Sequence, residues 1–190
     1  PTDAVFGLYR RVLGGGAASN ATERVAEVPE QTLGAELLTN GDFSAWTDDN
    51  PNGFSVVLES GSDPMVTQTA PDGSAGTGAA RLYSSVTSFA PRLQASALTT
   101  GNFYETVTDV TVRTAGSILV TDSSVAGLGL YALNSTGRKR QLGRAISATF
   151  DVRGNNPAPT DVVVDKVSLK GLTLNAQLAA PSANMRLTAF

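Results

Sequence analysis

The chain contains no cysteine and no histidine among its 190 residues. These absences exclude disulfides, thiolate nucleophiles, an imidazole general base and a Ser-His-Asp triad. Aromatic residues make up only 6% of the composition and charged residues only 16%. No apolar run approaches the roughly 18 residues that span a bilayer. We therefore expect a non-enzymatic protein with no cofactor, no metal and no membrane partner.

The chain also lacks an excess of positive charge. Lysine and arginine total 14 against 17 aspartates and glutamates, which gives a formal charge of −3. This balance creates no global field that would attract nucleic acid. The 41% of apolar residues suffice for the core of one domain. Because the chain opens Pro-Thr-Asp, as after removal of an initiator Met, we expect a complete cytoplasmic translation product.

Residues 1–35 differ in pattern from the rest of the chain. Their apolar positions follow helical spacing up to the glycines at 14–16, which predicts a short helix followed by a flexible tether. These positions are Val5, Leu8, Tyr9, Val12 and Leu13. A helix of about three turns is marginal alone in water. The sequence leaves open whether it packs on its own domain or on another chain.

From residue 36 onward, short alternating runs are separated by Gly, Pro, Asn and Asp. Ile146, Ala148, Phe150 and Val152 alternate with polar residues, which is typical of a strand with one buried face. Residues 92–97 alternate in the same way. Roughly eight to ten such runs punctuated by turns predict an all-β fold, an antiparallel sandwich or barrel.

Both ends of this region carry motifs. Residues 36–46 have the sequence ELLTNGDFSAW, continued by DDNPNGF, and residues 160–170 have the sequence TDVVVDKVSLK, with GNFYET at 101–106 between them. These motifs resemble family 4/9-type carbohydrate-binding modules, although Ser44, Phe54 and Lys166 depart from the usual residues. The resemblance implies a galactose-binding-domain-like, antiparallel jelly-roll β-sandwich over residues 36–170. N- and C-terminal extension arms, 1–35 and 171–190, would flank it.

Modules of this kind occur beside secreted polysaccharide-degrading enzymes and in structural proteins of tailed bacteriophages. The sequence shows no leader, catalytic domain or Pro/Thr/Ser linker, so the first hypothesis is a structural protein of a tailed-phage virion. It would be a capsid decoration (cement) protein or a small tail component, made in the host cytoplasm, with other virion proteins and copies of itself as partners. The alternative is a stand-alone carbohydrate-binding module that recognises a cell-surface or polysaccharide glycan.

Two sets of residues are candidate docking contacts. The arms carry apolar residues that need a partner surface: Val5, Phe6, Leu8, Tyr9, Val12, Leu13, Met185, Leu187 and Phe190. A basic cluster follows the turn at 135–137 and comprises Arg138, Lys139, Arg140 and Arg144. This cluster is either a solvated hairpin tip or an assembly contact loop that meets an acidic protein surface.

Glycan binding would need exposed aromatic rings on which sugars stack. We expect Phe43, Trp46 and Phe150 to lie in the core. The possible stacking platforms are Tyr83, Phe89, Tyr104 and Tyr131, of which Tyr83 and Tyr131 are the candidate glycan contacts. Because such rings are scarce, the sequence predicts weak glycan affinity.

Asp42 and Asp165 match positions near a structural calcium in related modules. Strand alternation predicts that Asp165 lies on the same face as Val163 and Val167, and therefore points inward. Such a carboxylate needs a cation or hydrogen-bond donors. Backbone N–H groups or a hydroxyl are the simpler partners, so no metal is predicted.

Overall fold

The structure, a computed structural model, describes residues 8–11, 22–26, 31–60, 62–85, 90–124, 128, 132–155 and 159–174. Over these ranges the chain forms fourteen strands and no helix, so no described helix is long and apolar enough to cross a membrane. The strands are β1 (Leu8–Arg11), β2 (Thr22–Ala26), β3 (Gln31–Glu36), β4 (Trp46–Thr47), β5 (Asn50–Pro51), β6 (Ser55–Val57), β7 (Met65–Thr69), β8 (Ala79–Ser84), β9 (Arg92–Ala95), β10 (Phe103–Ala115), β11 (Ile118–Asp122), β12 (Gly137–Arg144), β13 (Phe150–Gly154) and β14 (Thr160–Leu174).

Two larger sheets form an antiparallel β-sandwich, as the sequence predicts. The six-stranded sheet has the order β12-β10-β14-β8-β7, with β3 also pairing β14, and the four-stranded sheet has the order β11-β13-β9-β6. Two small sheets pair β1 with β2 and β4 with β5. The chain divides into two compact units, residues 33–172 and residues 1–32 with 173–190. Both larger sheets belong to the first unit.

Alternating apolar residues of both sheets fill the core. Leu82 and Val162 come from the six-stranded sheet, and Leu93, Phe150 and Val152 come from the four-stranded sheet; each is fully buried. Because side chains alternate across a strand, the residues between them point away from the core. The prediction that Phe150 faces inward is confirmed.

The opening motif, residues 36–46, has a structural role. Asn40 is 5% exposed; its amide donates to the Ala45 carbonyl (2.7 Å) and its carbonyl accepts from the Ala45 N–H (3.1 Å). A Cβ on Gly41 would lie 2.1 Å from the Val167 carbonyl oxygen, so only glycine fits against the closing strand. Phe43 is fully buried and its carbonyl accepts from the Trp46 indole.

The N-terminal segment differs from the prediction. Residues 8–11 form β1, which pairs with β2, so the predicted helix is wrong for these residues and the predicted tether contains strands. A short helix has few intrahelical hydrogen bonds to offset its nucleation cost. Antiparallel pairing supplies those hydrogen bonds to the segment instead. The remainder of the predicted helix lies outside the described residues.

Strand irregularities correct two further predictions. Asp109 pairs with Lys166 while Val110 pairs with Val164, so Asp165 occupies a β-bulge. The extra residue breaks the two-residue period, and Asp165 is half-buried rather than inward-facing. Ile146 is exposed: it lies in the loop that precedes β13, where its N–H donates to the Asp122 carboxylate, and the strand's alternation does not reach it.

Candidate ligand face on the four-stranded sheet

The outer face of the four-stranded sheet carries two rows of side chains that cross all its strands. The first, which we call the polar row, consists of direct cross-strand partners: Thr121, Asp151, Gln94 and Ser55. The second, the arginine row, lies two residues along the strands and consists of Leu119, Arg153, Arg92 and Val57. Because these positions alternate with core residues, both rows face away from the sandwich interior.

Asp151 is at the centre of the polar row. Its side chain is 0% exposed, and its Oδ1 accepts a hydrogen bond from Gln94 Nε2 at 2.9 Å. Its Oδ2 is buried and has no hydrogen-bond partner in the described part of the chain. Burial raises the pKa of this carboxyl above its ordinary value, against the opposing effects of Gln94, Arg92 and Arg153. The carboxylate therefore keeps an open acceptor in a desolvated position.

The neighbouring groups also keep open hydrogen-bonding capacity. Thr121 is 1% exposed, and within the described ranges its hydroxyl has no partner. The Nε atoms of Arg92 and Arg153 are buried and equally unpartnered there. Burial, followed by the charge of Arg92, lowers the pKa of Arg153, while Asp151 raises it. Buried polar groups in native proteins are usually hydrogen-bonded, so this concentration of unsatisfied groups makes the face a candidate binding site.

Asp122, in the same sheet, is a buried carboxylate whose hydrogen bonds are formed within the fold. Its Oδ2 accepts hydrogen bonds from the N–H groups of Ile146 (2.7 Å) and Ser147 (3.1 Å), and its Oδ1 accepts from the Ser124 hydroxyl. Burial alone would raise the pKa of Asp122, but these hydrogen bonds hold it below its ordinary value. Both oxygens of Asp122 are therefore engaged by donors of the loops that it anchors.

The structure separates the aromatic residues suggested by the sequence. Tyr104 is 3% exposed and its hydroxyl accepts from the Thr99 N–H, so it is a core residue. Tyr83 is half-buried on the six-stranded sheet, with the Arg81 guanidinium 5.2 Å from its ring centroid. Phe89 and Tyr131 lie outside the described residues. Tyr83 is therefore not part of the ligand face.

The basic cluster lies on a strand. Arg138, Lys139, Arg140 and Arg144 belong to β12, which is an edge strand of the six-stranded sheet, so the predicted loop is wrong. Pairing with β10 in eight register positions extends the strand through the cluster. Arg140 pairs with Glu105, and Arg144 Nε donates to the Gly101 carbonyl at 2.9 Å.

The other predicted positions contribute no binding chemistry that the structure describes. The side chains of the docking arms, Val5, Phe6, Leu8, Tyr9, Val12, Leu13, Met185, Leu187 and Phe190, lie outside the described residues. Asp42 is exposed and accepts from the Ser44 N–H and hydroxyl. In the described part of the chain, no three Asp or Glu side chains form a group suited to a metal ion.

Comparisons with known proteins give matches among solved structures. No protein-family model matches the chain, and no curated protein matches it. The N-terminal cellulose-binding domain of Cellulomonas fimi β-1,4-glucanase C is similar with a TM-score of 0.37 and 13% sequence identity, covering 69% of this chain and 94% of that domain. At this TM-score the likeness carries no functional argument. The family 4/9 assignment and the phage setting stay predictions.

Proposed function

We propose that this protein is a non-enzymatic glycan-binding module whose ligand lies on the outer face of the four-stranded sheet. The observation that carries the proposal is the polar row with its open hydrogen-bonding groups. Sugar hydroxyls both donate and accept, so a carboxylate, an amide and a hydroxyl side by side can bind neighbouring hydroxyls of one ring. Positions on paired strands hold such groups more precisely than loops do.

The same face has the groups for binding a glycan but not for cleaving it. Glycoside hydrolysis generally needs two carboxyl groups that flank the scissile bond. Asp151 is the one carboxylate in the two rows defined above, and the nearby Asp122 has its oxygens engaged by loop donors. With no histidine or cysteine in the sequence, the remaining chemistry is recognition by hydrogen bonding.

Affinity electrophoresis of the full chain through gels that contain soluble polysaccharides tests this function. The panel should include neutral glucans, xylan and uronate polymers. Gln94→Ala removes a polar-row amide and should weaken retardation about tenfold, the effect of losing one good hydrogen bond or about 1.4 kcal/mol. Gln68→Ala, on β7 of the other sheet, is the matched control and should leave retardation unchanged. Free migration of the wild-type protein in every gel would overturn the proposal.

The virion role that the sequence suggests first stays a prediction. Its main support is the apolar arms, whose side chains lie outside the described residues. The exposed edge strand β12 offers a basic surface for an assembly contact, since Arg138 and Arg144 are exposed there. A glycan-binding module on a particle surface would satisfy both hypotheses, and cosedimentation with capsids or tails would test the particle separately.

A further inference from the structure

Two arginines face each other across the centre of the candidate site. Arg92 on β9 and Arg153 on β13 are direct partners in an antiparallel pair. Directly opposed side chains have Cβ atoms about 4.5–5.5 Å apart, and like charges in such positions destabilise a sheet. The fold therefore maintains an unfavourable pair at the arginine row.

Neither arginine is neutralised by an ion pair. Among the described residues no salt bridge within 4.0 Å involves Arg92 or Arg153, and the buried Nε of each has no hydrogen-bond partner there. The six-stranded sheet treats its arginines differently: Arg81 Nε lies 2.7 Å from Asp161 Oδ1, and Arg140 pairs with Glu105. Each of these two arginines therefore has a carboxylate partner.

Asp151 does not balance the two positive charges. It is the nearest carboxylate on this face, two residues from Arg153 along β13, yet its one hydrogen bond comes from Gln94. Two guanidinium groups and one desolvated carboxyl leave the face with a local excess of positive charge, in a chain whose formal charge is −3. The excess is therefore a local property of this face.

We propose that the glycan is acidic, with a sugar carboxylate held between Arg92 and Arg153 and hydroxyls of the same or the next ring on the polar row. This inference rests on the proposed function. Guanidinium groups bind carboxylates in bidentate geometry, and an anion between them removes the repulsion of the opposed pair. The two rows are roughly 7 Å apart along the strands, a spacing comparable to the width of one sugar ring.

The test compares acidic polysaccharides with neutral versions of the same backbone. Polygalacturonate, alginate and hyaluronan are paired with their methyl-esterified or carboxyl-reduced forms, and binding to the full chain is measured by calorimetry. We expect at least tenfold tighter binding to one acidic polymer than to its neutral form, with affinity that falls as salt rises. Arg92→Gln and Arg153→Gln should each lower that affinity about tenfold, whereas Arg138→Gln, the control with the same charge change on β12, should not.

The possible results separate the two proposals. Equal binding of the acidic and neutral forms that still depends on Gln94 would overturn the acidic ligand and leave the glycan-binding function intact. Loss of binding in Arg138→Gln to the same extent as in Arg92→Gln would show that general charge is responsible and would also overturn it. Binding to no member of this panel would overturn the acidic ligand, and free migration in every gel of the polysaccharide panel as well would overturn both. Circular dichroism of each variant identifies any loss that results from misfolding.

Discussion

Asn40 and Asp151 are both buried polar side chains on a β-sandwich, yet they have opposite surroundings. The Asn40 amide and carbonyl are both engaged by Ala45 within the opening loop. Asp151 has one oxygen bonded to Gln94 and the other unpartnered in the described part of the chain. A buried group whose hydrogen bonds are complete serves the fold. One that remains unsatisfied costs stability, and a concentration of such groups on one face supports an external partner.

Removal of the satisfied group should have the largest effect on stability. Asn40→Ala leaves the Ala45 N–H and carbonyl without their partner and should lower the free energy of unfolding by about 1–3 kcal/mol. Urea unfolding at neutral pH measures this loss. Asn134→Ala, at an exposed position, is the control and should change stability little. Equal stability of the two variants would contradict the structural role of the motif.

Replacement of the open group should have the opposite sign. Asp151→Asn keeps an acceptor for Gln94 but removes a desolvated charge, so stability at neutral pH should rise by about 0.5–2 kcal/mol, as for other substitutions that relieve functional strain. Glycan binding should fall at the same time. A variant that is less stable than the wild type would show that Asp151 is a structural residue like Asn40.

The two carboxylates of the four-stranded sheet should respond to pH in opposite directions. The pKa of Asp122 is lowered from 3.8, so its stabilising contribution is present above about pH 4 and is lost as pH falls through the lowered value. The pKa of Asp151 is raised from 3.8, so the folded state is favoured below that value and loses stability as pH rises through the raised pKa.

Urea unfolding of the wild type, Asp122→Asn and Asp151→Asn from about pH 2 to pH 8 checks these directions. The wild type should exceed Asp122→Asn in stability by its full margin above about pH 4, and this margin should shrink as pH falls through the lowered pKa. The wild type should fall below Asp151→Asn only once Asp151 ionises. If the free energy of unfolding depended on pH in the same way in both variants, Asp122 and Asp151 would not have the different environments described above.

Replacement of two threonines with unpartnered hydroxyls should have the smallest effects on stability. The hydroxyls of Thr106 and Thr121 are both buried without a partner in the described ranges. Replacement of either by valine should raise stability by up to about 1 kcal/mol, because no intramolecular hydrogen bond is lost. Only Thr121→Val should weaken glycan binding, since Thr106 is on β10 of the other sheet. Equal binding losses would place the ligand elsewhere.

The sequence predicted those parts of the molecule that depend on local alternation. Phe150 and Val152 face the core, and Asp151 and Arg153 share the opposite face, because the two-residue period is a property of the strand alone. The position of Asp165 could not be predicted in this way. A bulge arises where two strands meet in register, and a single strand's pattern does not contain it.

The candidate site depended on information that is not local. Arg92 lies in a short alternating run that the sequence analysis recognised, but its place opposite Arg153 follows from the pairing of β9 with β13. The expected glycan contact Tyr83 lies on the other sheet. The sequence does show two arginines on the polar faces of separate strands. They indicate a binding site only when the strand register places them opposite each other.

The claim that the outer face of the four-stranded sheet binds a glycan is tested most directly by backbone chemical-shift mapping. The isotope-labelled full chain is titrated with an oligosaccharide of the polysaccharide that retards it most strongly. The account predicts that the shifts concentrate on amides of β9, β11 and β13, with Asp151 and Arg153 among the largest. Shifts confined to β8, β12 or the arms, or no shifts at all, would contradict it.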